Sequence, residues 1–128
     1  MSPWQWMSQS EHGLWLQRAL QQQDGCFDGH FPEQPLLPGV WQLHWVMQCW
    51  AEAQPQAQLI TVAQIKFLQP IKPPCELRLE LSWQLERLTF RYYLKDQVCS
   101  TGQLVFDQAL NPNLEWLFNL QNAHRSAS

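Results

Sequence analysis

One stretch restricts this chain more than any other. Residues 29–51 read Gly-His-Phe-Pro-Glu-Gln-Pro-Leu-Leu-Pro-Gly-Val-Trp-Gln-Leu-His-Trp-Val-Met-Gln-Cys-Trp-Ala. The first half holds three prolines and two glycines, so it forms a loop and neither a helix nor a central strand. From Gly39 to Ala53 no proline intervenes and most residues are apolar. Such a run is too long for an ordinary strand, and its length predicts a helix. Val40, Trp41, Leu43, Trp45, Val46, Met47, Cys49 and Trp50 leave hardly a polar side, which predicts a helix buried all round. His44 and Gln48 are the polar exceptions, four apart and therefore on one face.

The rest of the chain reads as strands and turns. Leu14–Leu20 is a candidate first strand, with helix a competitor because Leu, Gln, Arg and Ala favour it. Residues 21–25 form a turn. Leu59–Leu68 is β-branched and partly alternating, and residues 70–74 break it with three prolines. Cys75–Glu86 alternates cleanly, with Leu77, Leu79, Leu81, Trp83 and Leu85 on one face. This predicts a half-buried antiparallel strand. Leu88–Leu94, a turn at Lys95-Asp96, and Val98–Phe106 follow. Residues 114–120 carry a short helical pattern. The fold expected is α+β: an antiparallel sheet wrapped around one long central helix. One sheet of this size does not enclose a helix on every side, so a second copy is expected alongside, as a homodimer. At 128 residues and 45% hydrophobic, with eight tryptophans, the chain suits one domain over 1–128. Residues 1–12 read as an N-terminal arm or short helix, and 108–128 as a C-terminal tail. Trp4 and Trp6 need a cover.

Composition excludes several functions. The net charge is −3 and the eight Lys and Arg are scattered, so no basic stripe tracks nucleic acid. Cys26, Cys49, Cys75 and Cys99 lie about 25 residues apart without a CxxC pair, which argues against zinc and against a disulfide scaffold. No metal is expected. The N-terminus lacks the basic and apolar regions of a signal peptide, and no window reaches spanning length. A cytoplasmic protein with no membrane partner is the expectation.

The motif Gly29-His30-Phe31-Pro32-x-x-Pro35-x-x-Pro38-Gly39-Val40 resembles that of the 3-hydroxyacyl-(acyl carrier protein) dehydratases of fatty acid synthesis, which have the hotdog fold. The resemblance extends over roughly residues 14–107, and residues 67–74 resemble that family's strand end. Gln42-Leu43-x-Trp45 resembles the dehydratase-like proteins of aryl-polyene and related lipid clusters. The resemblance implies dehydration of 3-hydroxyacyl-ACP thioesters to trans-2-enoyl-ACP, in fatty acid or specialised polyene lipid biosynthesis. His30 becomes the acid/base at C2. The Gly39 or Val40 backbone N–H polarises the thioester carbonyl, as a helix N-terminus suits a developing enolate. Phe31, Pro38 and Gln48 join the substrate-binding residues. In the family the loop His meets the helix residue across the dimer interface. No cofactor is implied. The partners implied are an acyl carrier protein, a second copy, and in a higher oligomer or heteromer a paralogue.

One position departs from the family. Fourteen residues after the loop His stands His44, where the family has Glu or Asp. His44 donates a proton to the leaving hydroxyl only as imidazolium, which an ordinary imidazole populates near neutrality. Burial in an apolar helix disfavours that charged form. Two readings of His44 remain: catalytic acid, or neutral core histidine bonded to Gln48, a carbonyl or water. The alternative function is accordingly a catalytically weakened hotdog protein that binds acyl-ACP or accompanies an active dehydratase. A thioesterase is disfavoured, since the loop is not theirs. His30 has a second reading, ordering its own turn. Glu33 and Glu52 read as solvated, Asp24 as a turn residue, and Asp28 as a turn residue or an orienter of His30. His12 and His124 receive no role. Lys66, Lys72, Arg78, Arg87, Arg91 and Lys95 are the candidate docking cations for an acidic carrier. Trp41, Trp45 and Trp50 are expected to narrow the acyl tunnel, favouring short or planar, conjugated chains.

Overall fold

The computed structural model describes residues 2–27, 35–113 and 115. Its elements are β1 (Gln5–Ser10), β2 (Gly13–Leu20), a 3₁₀ turn (Gly25–Phe27), α1 (Gly39–Ala53), β3 (Leu59–Phe67), β4 (Cys75–Gln84), β5 (Arg87–Leu94) and β6 (Gln97–Phe106). They form one antiparallel sheet in the order β1-β2-β4-β5-β6-β3, with α1 against its inner face. This is the hotdog architecture expected from the sequence.

Alternation decides which side chains reach the helix. Leu14, Leu16 and Leu20 of β2, Leu77, Leu79, Leu81 and Trp83 of β4, Leu88, Phe90 and Tyr92 of β5, and Leu104 and Phe106 of β6 are all buried. Successive side chains of a strand face opposite sides, so each strand contributes every second residue to the core. Leu85 breaks the expected row. It sits in the two-residue turn between β4 and β5 with φ of 54° and is exposed, because β4 ends at Gln84. Lys95 takes the same left-handed conformation in the next hairpin.

Residues 2–12 hold no helix, so the short-helix alternative for the lead-in is corrected. Gln5–Ser10 is a strand, paired antiparallel with β2. Trp4 finds its cover at the entrance to this strand. Its ring lies edge-on to Trp45, with centroids 5.7 Å apart. The Arg18 guanidinium is stacked 4.6 Å from Trp4 and 4.7 Å from Trp45. Arg18 shares a face with Leu14, Leu16 and Leu20 and therefore points inward. Desolvation between the two rings lowers its pKa, while the aromatic faces favour the cation.

The helix is not buried all round. Gln42, Trp45, Val46, Cys49, Trp50 and Ala53 face the sheet. Val40, His44, Met47, Gln48, Ala51 and Glu52 are exposed on the opposite side of this single chain. The spacings within each set are those of opposite helix faces. One sheet covers one face, and the apolar Val40 and Met47 remain open. The segment expected to open the tail is held in place. Asn113 N–H donates to the Ala53 carbonyl at 2.7 Å, and Asn111 N–H to Gln54 Oε1 at 2.9 Å. The helical pattern expected over 114–120 lies outside the described residues apart from Glu115.

Candidate active site at the helix N-terminus

Helix α1 starts without a side-chain cap: Pro38 occupies the N-cap position with extended backbone. Pro38 has neither a hydroxyl nor a carboxylate to satisfy the first turn. The Pro38 carbonyl accepts from Trp41 N–H at 3.1 Å and from Gln42 N–H at 3.3 Å. Gly39 and Val40 precede these, so their N–H groups have no carbonyl within the helix to bond. They are donors at the positive end of the helix dipole. No helix of the described residues is long and apolar enough to cross a membrane.

An open groove of about 340 Å³ lies at this end of the helix. Residues 36–39 and Gln42 wall one side, and residues 67–71 the other. The Phe67 ring lies over Gly39, so close that a Cβ there would overlap the ring. Phe67 and Leu68 are 58% and 55% exposed, which gives the groove an apolar lip. The Leu37 N–H donates to the Ile71 carbonyl at 2.9 Å and ties the two walls together.

Behind the groove Gln42 is 4% exposed. Its Nε2 donates to the Leu37 carbonyl at 3.2 Å, and its Oε1 accepts from Ser100 Oγ at 2.6 Å. Its backbone carbonyl accepts from the Tyr92 hydroxyl at 2.5 Å. Burial pushes the Tyr92 hydroxyl well above the usual phenol range, so Tyr92 remains a donor. Reading the helix for apolar residues passed over Gln42. Helical spacing carried the signal, because Gln42 shares a face with Trp45, Val46 and Cys49. Arg18 is the second functional candidate missed, and period-two alternation in β2 marks it as inward-facing.

The expected site residues divide into three groups. Pro38, Gly39 and Val40 meet at the groove and the exposed start of the helix. His44 and Gln48 follow Val40 at intervals of four and share its exposed face. Within one chain His44 is exposed, on the face away from the sheet. It lies edge-on to Trp41 at 5.7 Å between ring centroids. His30 and Phe31 lie outside the described residues, as do Asp28 and Glu33.

Of the expected tunnel tryptophans, Trp41 and Trp45 pack 6.2 Å apart in the N-terminal half of the helix. Trp50 is elsewhere, 5.3 Å from Trp83 and 6.3 Å from Phe106. Glu52 is exposed near the helix end, and Asp24 accepts the Gln21 N–H within its turn at 2.8 Å, as expected. Among the described residues no group of three or more His, Cys, Asp or Glu is arranged to hold a metal.

The model of the ApeI-like family, described as ApeI dehydratase, matches residues 6–103. The chain belongs to this dehydratase family. Among solved structures it is similar to the dehydratase heterocomplex ApeI:P from Xenorhabdus doucetiae. The identity there is 34% and the TM-score 0.71, over 83% of this chain and 97% of that one. An uncharacterized protein from Erwinia carotovora subsp. atroseptica is 33% identical with a TM-score of 0.66, over 81% of this chain and 90% of its own. The 3-hydroxyacyl-[acyl-carrier-protein] dehydratase FabZ of Pasteurella multocida is 33% identical over 60% of this chain. The match spans 58% of that relative's length. N–H donors without a partner inside the helix, at the end that borders an apolar groove, are suited to hold negative charge that develops on an oxygen.

Proposed function

We propose that this member of the family dehydrates 3-hydroxyacyl chains, carried as thioesters on an acyl carrier protein, to trans-2-enoyl chains. The observation that carries the reading is the uncapped helix start: Gly39 lines the apolar groove, and the Gly39 and Val40 N–H groups have no carbonyl within the helix to bond. The thioester carbonyl accepts from these donors. His30 takes the C2 proton, the C2–H electron pair forms the C2=C3 bond, and the C3–O bond breaks. His44, as imidazolium, gives the leaving hydroxyl its proton, and water departs. Phe31, Pro38 and Gln48 line the path of the acyl chain.

His30 and His44 meet, in this reading, between two chains. The exposed stripe of Val40, His44 and Gln48 is the face that a second copy supplies with its own loop. A pair of chains also covers Val40 and Met47, which one chain leaves open. Lys66 and Lys72 are exposed and flank the groove wall in sequence, so they are the cations placed best for an acidic carrier. Arg78, Arg87, Arg91 and Lys95 lie along the strands and hairpin turns. Trp41 and Trp45 restrict the chain to short or planar, conjugated acyl groups. Trp50 packs instead on Trp83 and Phe106.

The test is mass spectrometry of a 3-hydroxyacyl chain loaded on acyl carrier protein and incubated with the purified protein. One water is lost with the natural sequence and none with His30→Ala. Replacing His44 by Ala lowers the rate by about 10²–10⁴-fold, the ordinary weight of general acid catalysis. A second reading is favoured by His44 itself and by the neighbour named as a heterocomplex. In it the chain binds acyl-ACP and accompanies an active dehydratase. Absence of water loss alone, with water loss when a paralogue is added, selects that reading.

A further inference from the structure

We propose that Gln42 is a positioning residue for the elimination, setting the Gly39 and Val40 N–H donors against the exit of the His30 loop. The inference rests on the dehydratase reading above. Three separate parts of the fold converge on this one residue in the first turn of α1. The loop exit reaches it through the Leu37 carbonyl, β6 through Ser100 and β5 through Tyr92. The amide orientation follows from its partners. The Leu37 carbonyl only accepts, so the amide nitrogen faces it, and the Ser100 hydroxyl is left to donate to the amide oxygen.

A usual helix fixes its first turn with a capping side chain on the free N–H groups. Such a cap here would compete with the thioester carbonyl for Gly39 and Val40. Pro38 supplies none, and Gln42 anchors the turn from the sheet side instead, so no cap occupies the Gly39 and Val40 donors. A buried amide also fixes geometry more tightly than an apolar side chain would. Each of its polar atoms loses a partner if the turn shifts. The Leu37 N–H bond to Ile71 carries the same restraint to the opposite wall.

The test compares Gln42→Met and Ser100→Ala with the natural protein in three readouts. These are turnover of a 3-hydroxyacyl chain on acyl carrier protein, melting temperature, and the infrared carbonyl stretch of a bound ¹³C-labelled crotonyl thioester. Gln42→Met lowers kcat by about 10- to 100-fold with KM within about twofold, since misplaced donors weaken the transition state more than ground-state binding. The downshift of the bound carbonyl stretch shrinks with it. Ser100→Ala moves both readouts the same way by a smaller amount.

A folded Gln42→Met with natural kcat and natural carbonyl shift overturns the inference, as does a loss confined to KM. If Gln42→Met does not fold, Ser100→Ala decides on the same two readouts. If the natural protein releases no water, the dehydratase reading fails. The carbonyl shift then still reports whether Gln42 positions the donors.

Discussion

The missing side chain at Gly39 lets the Phe67 ring lie over the first turn of α1. Phe67 is exposed, with room to turn outward, so Gly39→Ala displaces the ring rather than unfolding the protein. Loss of the groove's lip then lowers kcat/KM by about tenfold while the melting temperature stays near its original value, as steady-state kinetics and calorimetry would show. Cys49 makes a different prediction. Burial pushes its thiol up to about 12, against 9.0 in the exposed state. Between these values the unfolded chain has released the proton and the native chain keeps it. Stability is therefore intact below about pH 9 and falls as pH rises toward about 12. Tyr92, raised by the same cause, acts with the same sign. Urea midpoints measured between pH 8 and 10.5 should drop, and Cys49→Ala should make that drop shallower. The buried Cys49 thiol should also resist thiol reagents at neutral pH.

At the scale of elements, Arg18 ties the N-terminal strand to the helix. Its Nε donates to the Ser2 carbonyl at 3.0 Å, and its guanidinium stacks on Trp4 and Trp45. Arg18→Ala should cost about 1–2 kcal/mol in urea unfolding, the sum of two partly desolvated cation–π contacts. Hydrogen exchange should show the loss concentrated in β1. This element also marks how far the sequence could be read. The strands from Leu59 onward were legible because alternation, prolines and two-residue turns agree there. Helix α1 was legible to its ends because Gly39 and Pro55 bracket it. β1 was not, since Trp4 at its entrance is held by Arg18 and Trp45, partners distant in the chain. Which face of α1 the chain's own sheet covers was not legible, because apolar content says how much of a helix wants burial and not which neighbour provides it. Val40 and Met47 are as apolar as their sheet-facing neighbours, while Gln42 is polar and buried. The start of the helix at Gly39 was legible because the Pro38-Gly39 pair marks the loop exit. The position of His44 turned on which helix face the sheet covers, and local sequence does not specify that.

For the whole molecule, the open side of α1 and the edge strand β3 share one character. Val40, Met47, Ile60, Phe67 and Leu68 are apolar and exposed in a single chain, and β3 ends the sheet with one free edge. Long apolar edges invite pairing. Association of two chains is therefore expected in sedimentation, and Ile60→Lys should shift it toward monomer and reduce turnover in parallel. In the proposed reading a dehydration centre forms where the His30 loop of one chain meets the His44 face of another. Subunit mixing separates a shared centre from one held within a single chain. His30→Ala and His44→Ala proteins are prepared separately, each with little activity, then unfolded together and refolded. A shared site places both natural histidines at one of the two centres in each mixed dimer. Random pairing then restores about a quarter of the natural rate. Recovery no greater than the mean of the two separate variants would contradict a site built from two chains.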